Sequence, residues 1–84
     1  MKRRKNYQSG FSQKDYDKAR RKLHTLSLRE LINYIDQYLT SLLTYMTAYS
    51  YNNQEGILLN MKTDLLTLMA LVDEMHEEYL ARHK

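Results

Sequence analysis

Apolar residues return at helical spacing from Leu28 onward. Counted as heptads from that residue, Leu28, Leu31, Ile35, Tyr38, Leu42, Tyr45 and Tyr49 fill every a and d position. Such a stripe predicts an amphipathic helix with these side chains on its buried face, widened at e by Ile32, Leu39 and Met46. Ser27-Leu28-Arg29-Glu30 opens it as a capping box: the Ser27 hydroxyl accepts from a first-turn amide while Glu30 reaches back to the Ser27 amide. The helix is expected over 28–51 and should be about 35 Å long. Asn52-Asn53-Gln54-Glu55-Gly56 then interrupts the pattern with turn formers, among which Asn52 and Glu55 offer a further cap.

Leu58, Met61, Leu65, Leu68, Val72, Met75 and Tyr79 occupy a and d again, predicting a third helix over 55–82 whose last turn carries Arg82. Upstream, Ser12-Gln13-Lys14-Asp15 is a cap signal, and Tyr16, Ala19, Leu23 and Leu26 follow at helical spacing, so a short helix is expected over 13–24. The expected fold is all-α: an antiparallel helical hairpin with a short N-terminal helix, forming a single domain over 12–84. Residues 1–11, polar and basic with almost nothing to bury, are expected to be a flexible arm.

Two features make the hairpin look incomplete by itself. Residues 65–72 read Leu-Leu-Thr-Leu-Met-Ala-Leu-Val, apolar nearly all the way round a helix. The outward positions Thr40, Ser41, Thr44, Thr47 and Ser50 are modest helix formers where an exposed helix normally carries Lys and Glu. A second copy of the chain completing a four-helix bundle is the economical cover, so a homodimer is expected. Tyr34 and Tyr51, with the off-seam Leu43, Leu59, Leu66 and Leu71, are the candidate protein-interface residues.

Length and composition narrow the function. Eighty-four residues make one small domain with little room for a deep catalytic cavity. The absence of Cys excludes disulfides and thiolate metal sites and fits a reducing compartment, so the expected location is the cytoplasm, or the nucleus in a eukaryotic or viral setting. Residues 37–54 carry no charge, but Thr, Ser, Tyr and Asn interrupt the run, and no membrane span is expected. MKRRK opens like a secretory leader, yet polar Asn6 to Gly10 stands where an apolar stretch belongs.

Charge changes the picture most. Residues 1–22 hold nine Lys and Arg against two Asp, a net of +7, while the remainder carries −4. Lys2, Arg3, Arg4, Lys5, Lys14, Lys18, Arg21 and Lys22 are therefore the candidate nucleic-acid contacts, because clustered cations gain by releasing counterions from phosphates. Residues 2–5 and 18–22 together resemble a bipartite nuclear import signal, a spacing that basic arms meet easily. With no helix-turn-helix or RNA-binding aromatic motif, binding is expected to be phosphate-driven and weakly sequence-specific. A competing reading is internal: the hairpin returns Asp73, Glu74, Glu77 and Glu78 to the basic first helix, where the charges neutralise one another.

Nothing in the chain builds a catalytic centre. Asp73, His76 and Glu77 form half of a helical di-metal pattern and lack its second half, so no metal or cofactor is expected. Arg29 with Ile35-Asp36 resembles the first helix of the all-helical chorismate mutases. That likeness spans about one helix, and the later cations that would hold substrate carboxylates fall here among Thr, Ser and Tyr. The expected function is thus non-enzymatic: a dimeric helical protein whose basic arm contacts nucleic acid in a regulatory or accessory role. The alternative is an inhibitor or adaptor, of the kind mobile elements and phages encode, blocking a host protein through an uncharged Tyr/Thr/Leu surface.

Overall fold

The computed structural model describes residues 12–83. Among them are three helices and no strand: α1 (Gln13–Leu23), α2 (Leu28–Tyr51) and α3 (Glu55–Arg82). The first two begin where the sequence offers caps. The Ser12 and Ser27 hydroxyls accept from the Asp15 and Glu30 amides at 3.3 and 3.2 Å. The return bonds, from the Ser12 and Ser27 amides to the carboxylates, are 3.0 and 2.9 Å. α3 starts at Glu55, as expected, but is capped differently. Asn52 and Glu55 form no capping box; Gln54 holds the cap position with no side-chain bond, and Gly56 lies in the first turn of the helix. The reversal is held by the backbone, through Asn52 N–H to Ala48 O at 2.9 Å and Gln54 N–H to Asn52 O at 2.7 Å.

α2 and α3 run antiparallel, and all seven expected a and d residues of α2 are buried or half-buried. Its e positions are not: Ile32, Leu39 and Met46 stay about half exposed. The core is small. Leu23, Leu31, Ala70 and Leu71 are buried together, with Tyr16, Ala19, Leu26, Ile35, Tyr38, Leu68 and Met75 around them. It sits where α1 meets the first half of α2 and the second half of α3. With eleven residues, α1 is about 17 Å long and covers less than half of the hairpin. Towards the tip, Tyr45, Tyr49, Ile57, Leu58 and Met61 are only half-buried.

The buried arc of α3 is rotated from the expected one. Leu65, Val72 and Tyr79 were expected in the seam and are 51%, 53% and 53% exposed, whereas Asp64, Ala70, Leu71 and Glu74 are buried. The cause is α1, which packs on the flank of α3 carrying Ala70 and Glu74, so the covered surface must serve two neighbours rather than one. Leu71 is accordingly a core residue, fully enclosed, and not the partner-facing side chain expected from its off-seam position. Buried Asp64 is matched across the seam by Ser41, whose hydroxyl donates to Oδ2 at 2.7 Å, as an enclosed carboxylate requires.

Candidate nucleic-acid interface

α1 divides its cations between two faces. Tyr16, Arg20 and Leu23 recur at helical spacing and turn towards α3, and Arg20 is 22% exposed. Its Nε lies 2.7 Å from Glu74 Oε2 and its Nη2 2.9 Å from Glu77 Oε2. Nη1 donates to the Tyr16 hydroxyl at 3.0 Å, and that hydroxyl in turn donates to Asp73. Arg20 therefore holds its proton more tightly than usual, first through Glu74 and then through Tyr16. The Tyr16 phenol is also held above its ordinary value, first by burial and then by the bond to Asp73.

Lys14, Lys18, Arg21 and Lys22 form the other face. All four are exposed, and none pairs with a carboxylate among the described residues. Spaced i, i+4, i+7 and i+8, they share one side of the helix over about 12 Å, a length along which duplex DNA presents on the order of seven phosphates. Of the two acids on the same helix, Asp17 is engaged by Gln13 Nε2 at 3.0 Å and Asp15 by the Ser12 amide at 3.0 Å. Lys18 and Lys22 also border an open cleft of about 420 Å3 between α1 and the hairpin, floored by Ala19, Leu23, Tyr38 and Leu66. Internal neutralisation thus accounts for Arg20 and leaves four cations of α1 outward. Lys2, Arg3, Arg4 and Lys5 lie outside the described residues.

The carboxylates near α1 do not make a metal centre. Ligand atoms of His24, Glu74 and Glu77 approach within 4.8 Å of one another. The Oε2 atoms of both glutamates already hold the Arg20 guanidinium, so a divalent cation would meet a resident positive charge. Asp73, His76 and Glu77 do not converge either, since Asp73 and Glu77 face α1 while exposed His76 is turned to another flank.

The candidate interface residues scatter. Tyr34 packs its ring 6.5 Å from that of Tyr38 on the α1 side, and Tyr51 is 88% exposed at the end of α2. Leu66 lines the α1 cleft, Leu59 lies two turns before it on the same flank of α3 and is 48% exposed, and Leu43 shares a flank of α2 with Leu39 and Met46. Sequence reasoning missed the inward role of Arg20. The available signal was its i+4 spacing from Tyr16 and its place between Ala19 and Leu23 on the stripe. No family model, curated protein or solved structure matches this chain.

Proposed function

We propose that this is a non-enzymatic, dimeric helical protein that grips nucleic-acid phosphates with the outer face of α1, prolonged by Lys2, Arg3, Arg4 and Lys5 of the sequence, in a regulatory or accessory role. The observation that carries this reading is the partition of α1: Arg20 is committed to Glu74 and Glu77, while Lys14, Lys18, Arg21 and Lys22 point outward without an acidic partner among the described residues. Four aligned cations on one rigid helix suit a polyanion better than a single small ligand. The inhibitor reading is less favoured, because its candidate residues do not gather on one surface: Leu71 is enclosed in the core, Leu66 lines the α1 cleft, and Leu43 lies on a different flank of the hairpin with Leu39 and Met46. Dimerisation into a four-helix bundle belongs to the same proposal and doubles the cationic surface.

The test is binding of the full chain to a fluorescein-labelled duplex between about 50 and 200 mM salt. With eight cations engaged, log K should fall against log salt with a slope of about −7. Lys18→Ala with Arg21→Ala should make that slope shallower by about 2. Removal of residues 1–11 should flatten it further without lowering thermal stability. Absence of binding at the lowest salt, or a slope indifferent to the α1 substitutions, would sink the proposal.

A further inference from the structure

At about 100° per residue, Ile32, Leu39, Leu43 and Met46 fall within about 60° of arc on α2, and Leu65, Met69, Val72 and Tyr79 within about 80° on α3. Each stripe is offset from the seam in the same rotational sense about its own helix. Because the helices are antiparallel, both stripes emerge on one side of the hairpin, and α1 occupies the other. Leu43 and Met69 are the most exposed of them, at 58% and 60%. We infer that this face is the surface on which a second copy of the chain docks, forming the four-helix bundle face to face. The inference rests on the dimeric part of the proposed function and supplies its interface.

Three observations select a second copy as the occupant. A patch that meets its own symmetry mate must avoid like charges, and residues 37–54 and 65–72, which supply most of this face, contain none; the ionisable side chains next to its stripes are Asp36 on α2 and His76 on α3, which are not of like charge. Three of the hydroxyls near it are already satisfied. Thr40 and Thr44 donate to their own helix at Asp36 O and Thr40 O, 3.0 and 2.9 Å, and Ser50 donates to Thr47 O at 2.6 Å, so covering them strands no hydroxyl. The area also fits. Half-exposed side chains of this size leave on the order of 100 Å2 each, so eight offer about 800 Å2, the per-partner share of a standard interface and more than the largest apolar patch of most monomers. The molecule is 18 Å thick in its thinnest direction, about two helix layers, and among the described residues no third layer covers the face. Pairing here also keeps the two α1 cation rows on opposite outer sides, where they do not repel.

Sedimentation equilibrium of the full chain from about 5 to 100 μM should give a mass near twice 10.1 kDa. Leu39→Glu with Met69→Glu should halve that mass. The native chain has no Cys, so Met69→Cys also provides a conservative probe: its thiol should react about ten-fold more slowly with an aromatic disulfide at high protein concentration than at low, while Leu59→Cys, on a different flank, reacts at the same rate throughout. A dimer that survives the double substitution, or a Met69→Cys thiol equally reactive at all concentrations, overturns the interface and leaves the dimer and its phosphate contacts standing. A monomer at 100 μM overturns the interface and the dimer together, and the salt-dependent binding of α1 is then judged separately.

Discussion

Arg20 shows how one side chain decides what a charged helix does. It is placed among apolar neighbours, and its cost of burial is offset by Glu74, which is itself 7% exposed. Arg20→Met strands that carboxylate and should destabilise the fold by about 2 kcal/mol, lowering Tm by roughly 10 °C in a domain of this size. Adding Glu74→Leu should recover most of the loss, since a well-packed apolar pair replaces a buried ion pair at little cost. Thermal melts at fixed protein concentration check both. Tyr16 adds a pH dependence. Its folded-state value is raised above 10.0, so its contribution is fully present below that pH and is lost as pH rises through the folded value. A melt series between about pH 8 and 11 should decline at the alkaline end, and Tyr16→Phe, with no proton to lose, should flatten that decline.

At the scale of the element, local signals acted where they were strong. The two Ser-x-x-acid boxes start α1 and α2 where the pattern placed them, because a cap is satisfied within four residues and needs no distant partner. Ser27→Ala should therefore cost about 1 kcal/mol, seen as a drop of several degrees in Tm. α3 has no side-chain cap and starts by backbone bonding alone. Gly56 lies in its first turn, and a Cβ there meets nothing within 4 Å. Gly56→Ala should stabilise by about 0.5 kcal/mol by restricting the unfolded chain, and an unchanged or lower Tm would count against this account.

Over the whole molecule, packing is uneven. The junction of all three helices holds Leu23, Leu31, Ala70 and Leu71, while the hairpin tip has two helices and half-buried contacts only. Amide exchange should follow that gradient, with residues 46–60 exchanging about ten-fold or more faster than residues 66–75, because local opening tracks buried contact. Uniform protection along α3 would contradict it. The same unevenness leaves one side of the hairpin apolar and the other cationic, which is the basis of both proposals.

The helices, their starting points and the inward face of α2 are properties of the sequence alone. Leu28 to Tyr49 keep one strict period, with polar residues marking much of the far side, so the azimuth of that helix is written locally. Tertiary structure decided the rest. Along residues 65–72 nearly every position is apolar, and a helix without a polar side carries no signal of which way it turns. Where α1 docked chose the answer: it enclosed Ala70 and Leu71, drew Arg20 inward to Glu74 and Glu77, and left Leu65, Met69 and Val72 facing outward.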